Sequence, residues 1–197
     1  MKNINFLVSG VGGQGTVVAS DILAAVGMEA GYEAKKSDVL GLAMRGGSVT
    51  SHIRWSQGTV HAPMVGLGEI NYMVAFELLE ALRRLPFMNP EGTIIVNTQQ
   101  LPPVSVTSGQ TNYPSQTEII TTLKKHVKTV YEIDALSTAL KLKNSKTVNV
   151  VIMGAASALF DIPTDIWEKV IAGTVRPKHV ELNIAAFREG RKLMEVG

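Results

Sequence analysis

Ile4-Asn-Phe-Leu-Val-Ser-Gly-Val-Gly-Gly-Gln-Gly-Thr-Val-Val-Ala-Ser-Asp21 is the stretch on which the fold turns. Residues 4–9 form a short apolar run ended by glycine, the pattern of a strand covered on both faces. Gly10-Val-Gly-Gly-Gln-Gly15 follows, and then residues 16–28, in which Asp21 is the only charge. A helix that apolar needs a sheet on one side and a second layer on the other. Strand, glycine turn and buried helix together open an α/β unit.

Downstream, the same alternation continues. Residues 32–38 read as extended chain, 41–47 as a glycine-rich loop, and 48–55 as a strand with Val49, Ile53 and Trp55 on one face and Thr50, His52 and Arg54 on the other. That period of two predicts a half-buried strand. Residues 71–75 and 92–97 read as further strands around a helix at 76–85, where Glu77 and Glu80 come early and Arg83 and Arg84 late, as the helix dipole prefers. Residues 98–114 are loop or edge, and Ser115 with Glu118 three positions on marks a capped helix. A strand at 128–133 precedes four helices near 135–142, 148–159, 164–172 and 178–195, so the last third wraps the sheet or caps an edge. The expected architecture is a single α/β domain over residues 1–197: a mostly parallel, Rossmann-like sheet flanked by helices, with a helical C-terminal third.

Composition narrows the chemistry. The 197 residues contain no cysteine, which excludes a disulfide framework, a cysteine-ligated zinc or iron–sulfur cluster, and a cysteine nucleophile. His52, His61, His126 and His179 are scattered, with no pair at metal-ligand spacing, so no metal site is expected. A net charge of +2 gives no basic face for nucleic acid. No apolar stretch is long enough for a membrane span or a signal peptide, and the chain reads as cytoplasmic. With 18% charged and 45% hydrophobic residues, the surface carries apolar area suited to a partner subunit.

The glycine loop is the strongest local motif. Gly10, Gly12 and Gly15 permit a tight turn and aim amide N–H groups and a positive helix end at an anion, or else merely allow close packing of strand on helix. An NAD site asks for an acidic residue about 20 positions on, and Lys35 and Lys36 stand nearest that spot. Arg45-Gly46-Gly47 is the second candidate: a guanidinium ahead of two glycines can clamp a phosphate or carboxylate, or pair with Asp38 or a partner chain. His52 has no carboxylate near it in sequence to make it a general base, and no Gly-x-Ser-x-Gly elbow accompanies the serines.

Four stretches carry a resemblance. Gly10-Val-Gly-Gly-Gln-Gly15, with its glutamine, and Ser37-Asp-Val-Leu-Gly-Leu-Ala-Met-Arg-Gly-Gly-Ser-Val49 are the specific pair. Val148-Asn149 through Gly154-Ala155-Ala156, and Asn183, Ala186, Phe187 and Gly190, extend it over nearly the whole chain. Together they resemble the gamma-type domain of the 2-oxoacid:ferredoxin oxidoreductases, most closely the beta subunits of the indolepyruvate type. That type carries glutamate, histidine and glutamine where this chain has Asp38, Leu40 and Met44.

The resemblance implies a subunit of a complex that oxidatively decarboxylates an aryl or other 2-oxoacid to an acyl-coenzyme A and reduces ferredoxin. Thiamine diphosphate and iron–sulfur clusters are then expected in a large partner subunit, with coenzyme A as co-substrate and none of them assigned to this chain. By the same analogy Gly10, Gly12, Gly13, Gln14, Gly15, Arg45, Gly46 and Gly47 form its ligand-binding or complex-facing surface. The isolated chain is expected to be inactive. A stand-alone nucleotide- or coenzyme A-binding module is the alternative that the glycine loop by itself allows.

Overall fold

Asn3–Val11 (β1) takes the middle of the sheet because it is apolar on both sides: Phe6 and Val8 enter one layer of the core, Leu7 the other, and all three are fully buried. The structure, a computed structural model, describes residues 3–41 and 46–194. From β1 the chain runs through Thr16–Glu29 (α1), Glu33–Leu40 (β2), Ser48–Ser56 (β3), Ile70–Ala75 (β4), Leu78–Arg84 (α2) and Met88–Asn97 (β5). Val104–Thr107 (α3), Gln116–His126 (α4), Thr129–Ile133 (β6), Ala135–Lys141 (α5), Val148–Ser157 (α6), Thr164–Thr174 (α7) and Val180–Lys192 (α8) complete it.

The six strands lie in the order β2-β3-β1-β4-β5-β6. β1, β4, β5 and β6 pair in parallel, while β3 runs antiparallel to both β1 and β2. The sheet is mostly parallel and flanked by helices on both faces, as the sequence led us to expect. α1, α6, α7 and α8 share one core with Phe6, Val8, Trp55 and Val74; α2 and α4 share the other with Leu7, Met73 and Ile94.

β3 is not half-buried. Thr50 and His52, expected on an open face, are each only 3% exposed. The strand is interior to the sheet, and the segment 57–69 lies over its polar side: Val65 N–H donates to His52 Nδ1 (3.3 Å) and Arg54 donates to the Met64 carbonyl (3.2 Å). Alternation of apolar and polar residues records two chemically different faces, and here both are covered, the second by groups small or polar enough to meet a loop.

The helical third covers the α1 face of the sheet. Every residue of α6 is buried, with the sheet on one side and α8 on the other. The two helices cross at backbone contact: a Cβ on Gly154 would stand 2.1 Å from the Phe187 carbonyl oxygen, and one on Gly190 2.0 Å from that of Val151. Elsewhere the caps follow the sequence. Ser115 and Glu118 form the reciprocal capping box of α4.

This topology fixes where a site can form. β1 leads through α1 toward β2 and β3, whereas β4 leads through α2 the other way to β5. The connections therefore diverge at the carboxyl ends of β1 and β4, which opens a crevice there. Among the described residues no helix is long and apolar enough to cross a membrane.

Candidate functional site

The turn after β1 is braced by Gln14. Its Oε1 accepts from Val11 N–H (2.8 Å), and its Nε2 donates to the Phe76 carbonyl (3.0 Å) and to Gln99 Oε1 (3.4 Å). Asn97, fully buried at the end of β5, donates to the same Phe76 carbonyl (3.1 Å) and accepts from Ala135 N–H (3.3 Å). Gln14, Asn97 and Gln99 thereby lock the ends of β1, β4 and β5 to the start of α5. Gln14 spends both amide atoms on the protein, so its contribution is to hold the loop. Gly10 is walled in by Thr16 and Phe76, with a Cβ there reaching 2.8 Å from Thr16 Oγ1 and 3.0 Å from Phe76 Cβ.

Gly13, Gln14 and Gly15 line a cleft of about 440 Å³, opposite Gln99, Lys146 and Asn149. Gly15 starts α1 in the left-handed region (φ +81°), and a Cβ there would stand 2.6 Å from Asn149 Nδ2. Only glycine meets both demands. α1 has no side-chain cap and no acidic residue in its first turn, and α6, which begins at the same cleft, likewise has neither. The lining contains no carboxylate, while Lys146 adds a cation. Two helix N-termini and an ammonium favour an anionic group in this cleft.

The two glycine motifs meet on the other side of the loop. Gly12 N–H donates to the Gly47 carbonyl at 2.8 Å, and Gly46 N–H points to the Gly12 carbonyl at 3.5 Å. Gly12 and Gly47 are thus joined through backbone, whereas Gly13, Gln14 and Gly15 face the cleft. Arg45 lies outside the described residues.

β2 shows why the dinucleotide reading has no acid at the right place. β3 intervenes between β2 and β1, so the end of β2 is one strand farther from the glycine loop than in a dinucleotide fold. Asp38 is committed there to Ser51 Oγ (2.6 Å), Lys36 Nζ (2.9 Å) and Ser20 Oγ (3.4 Å). Burial pushes its carboxyl up, but those hydrogen bonds and the Lys36 charge outweigh it and hold the group below the usual range. His52 is displaced the opposite way for a base: burial and the nearby Arg84 guanidinium lower its pKa and keep the ring neutral. Its Nδ1 is used to fasten Val65, which is a structural duty.

Comparison with known proteins agrees with this geometry. The family model described as "Pyruvate ferredoxin/flavodoxin oxidoreductase" matches residues 5–193. The chain belongs to this family. It is 38% identical over 95% of its length to the indolepyruvate oxidoreductase subunit IorB of Archaeoglobus fulgidus, of which the match covers 93%. The crystal structure of the keto/oxoacid ferredoxin oxidoreductase gamma subunit from Geobacter sulfurreducens has the same fold: TM-score 0.72 at 20% identity, covering 98% of this chain and 99% of that one. The 2-oxoglutarate:ferredoxin oxidoreductase of Magnetococcus marinus, solved with 2-oxoglutarate, coenzyme A and succinyl-CoA bound, contains the fold within a longer chain. There the TM-score is 0.78 at 21% identity, over all of this chain and 32% of that one.

Within this family member, several residues matter that sequence reasoning passed over. Glu77, read as an early helix acid suited to the dipole, is 1% exposed. Its carboxylate accepts from Glu80 N–H (2.9 Å), from Leu101 N–H (3.0 Å) and from the Tyr113 hydroxyl. Burial and the adjacent Glu77 charge drive the Tyr113 hydroxyl well above its ordinary pKa, so it stays a donor. Glu80 is equally buried and receives Ser48 Oγ at 2.5 Å and Arg83 at 2.6 Å, which anchors the strand after the second glycine motif to α2. Asn97, a polar residue closing an apolar strand, was the one visible hint of this network. Asn149 was marked only as part of the stretch from Val148 that carries the resemblance, and Lys146 not at all, because their place in the cleft comes from chain more than 130 residues from the loop.

Proposed function

We propose that this chain is the small subunit of a thiamine diphosphate-dependent 2-oxoacid:ferredoxin oxidoreductase of the indolepyruvate type, acting on an aryl or other 2-oxoacid. The observation that carries the reading is the joining of the family's two glycine motifs, Gly12 N–H to Gly47 carbonyl, beside a carboxylate-free cleft at the carboxyl end of β1. The 38% identity with a subunit named for indolepyruvate supports the substrate class.

In the overall reaction a 2-oxoacid and coenzyme A give an acyl-coenzyme A and carbon dioxide, with release of one proton and two electrons, which pass through iron–sulfur clusters to ferredoxin. Thiamine diphosphate, held by the large partner subunit, supplies the carbanion chemistry of decarboxylation. This chain has no cysteine to hold a cluster, so the electrons travel through the partner. Its own contribution is a surface: Gly12, Gly13, Gln14 and Gly15 with Gly46 and Gly47 face the complex, and the cleft accepts the approach of coenzyme A. The binding of that coenzyme in the Magnetococcus marinus enzyme supports this assignment. The complex acts in the cytoplasm and requires neither nucleic acid nor membrane.

Co-expression with a thiamine- and cluster-carrying subunit tests the reading. The expected result is co-purification and 2-oxoacid-dependent, coenzyme A-dependent reduction of viologen by the pair, fastest with an arylpyruvate, and none by either chain alone. Viologen reduction by this chain in isolation would contradict it.

A further inference from the structure

The amino ends of β1, β4 and β5, at the far end of the sheet from the glycine loop, enclose a cavity of about 240 Å³ lined by Asn3, Asn71, Tyr72, Asn89, Gly92 and Thr93 among others. An irregularity in the sheet opens it. Ile70 pairs with Met88 and Tyr72 with Thr93, so Asn71 of β4 alone faces residues 89–92 of β5. Bulges recur where a strand must re-aim its side chains, functional sites included. Gly92 fits the bulge closely: a Cβ there would stand 2.8 Å from the Asn89 carbonyl oxygen and 3.0 Å from that of Asn71.

The three asparagines share one arrangement. Asn71 Oδ1 accepts from Asn5 N–H (2.8 Å), and Asn89 Oδ1 accepts from Glu91 N–H (2.9 Å). Ser56 Oγ, itself the acceptor for Gly58 N–H (2.9 Å), gives its proton to Asn3 Oδ1 (2.8 Å). A backbone N–H can only donate, so these contacts fix the oxygen of each amide in place and leave its nitrogen over. Among the described residues neither the three Nδ2 groups nor the Tyr72 and Thr93 hydroxyls have a partner. Glu91, the one carboxylate on the lining, is held by Lys128 at 3.0 Å, and no cation lines the cavity. The cavity is therefore rich in hydrogen-bond donors and poor in free acceptors.

An asparagine at a strand end ordinarily shapes a turn and leaves its amide to water. Here three of them converge from three strands on one concavity, each with its oxygen already bound. Neutral donors fit uncharged oxygen acceptors, whereas a ligand carboxylate or phosphate would meet Glu91 with no lining cation to offset it. A sugar would bring hydroxyl donors for which the cavity has no free acceptor. We infer that this cavity binds the carbonyl oxygens of a neutral amide ligand, such as the main chain of an extended peptide segment presents, with Asn3, Asn71 and Asn89 as the donors. The site lies apart from the cleft and is independent of the function proposed above.

Titrating the isotope-labelled full chain with N-acetylglycinamide, N-acetylglycine and D-glucose, and following the asparagine side-chain amide signals by NMR, tests the inference. N-acetylglycinamide is expected to shift the signals of Asn3, Asn71 and Asn89 together and saturably in the millimolar range, as a few neutral hydrogen bonds imply. The N-acetylglycine anion should bind more weakly, and glucose should leave the signals unmoved. Asn71→Asp and Asn89→Asp each keep the oxygen that the backbone uses and remove the donor, so melting temperature should hold while binding of N-acetylglycinamide falls about tenfold. Asn112→Asp, at an exposed asparagine outside the cavity, should change nothing. Absence of any shift up to the solubility of N-acetylglycinamide, tighter binding of the anion or of glucose, full affinity in Asn71→Asp and Asn89→Asp, or loss in the Asn112→Asp control would each overturn it.

Discussion

Gln14 is the residue on which the site's geometry depends most. A glutamine in a glycine loop suggests a ligand contact, yet its amide closes hydrogen bonds to Val11, Phe76 and Gln99. Gln14→Ala should therefore destabilise the fold by about 1–3 kcal/mol, since it strips partners from a backbone N–H and a carbonyl; the midpoint of urea denaturation reads this directly. His52 carries a pH signature of its own. Its pKa is lowered in the folded chain by burial and Arg84, so below about pH 6.5 the unfolded chain takes up a proton that the folded one refuses. Stability should fall as pH drops through that window, and His52→Gln should flatten the slope of melting temperature against pH. An unchanged slope would show that His52 titrates normally. At this scale the sequence marks Gly12, Gly13, Gln14 and Gly15 as important but does not place Asn149 and Lys146 beside them, a proximity created by packing alone.

At the scale of elements, legibility followed local chemistry. The α4 helix could be read because Ser115 and Glu118 cap it within one turn, and α1 because its first thirteen residues carry a single charge and most of them pack into the core. β3 was misread because its alternation is real but both of its faces are covered, one by α1 and the other by the 57–69 segment. Likewise the dipole pattern of Glu77 and Glu80 is present in α2, but both acids are buried as anchors for Leu101, Tyr113 and Ser48. The α6–α8 crossing left the plainest trace, two glycines 36 residues apart, though nothing local said that they touch. Gly154→Ala should cost about 3 kcal/mol or more through overpacking of backbone on backbone. Thermal or chemical denaturation measures it, and a loss below about 0.5 kcal/mol, the scale of an ordinary surface substitution, would mean the helices are not in contact there.

For the molecule as a whole, the missing cysteine gains a positive meaning: in a family named for ferredoxin and flavodoxin oxidoreduction, this chain contributes no cluster ligand of the usual kind. Anaerobic treatment of the pure chain with iron and sulfide should leave no cluster absorbance, whereas the assembled complex should retain it. The low charge falls into place beside it, with Val39 and Leu40 exposed on the edge strand β2. The central claim is that the cleft joining the glycine loop to α6 governs coenzyme A. Asn149→Asp tests it most directly, because it is isosteric and sets a negative charge where Gly15, Lys146 and two helix N-termini converge. In the reconstituted complex kcat/KM for coenzyme A should fall about tenfold, because the new carboxylate offsets the positive helix ends and Lys146 and repels a bound anion, with KM for the 2-oxoacid unchanged. An unaltered kcat/KM for coenzyme A in a complex that assembles normally would contradict the claim.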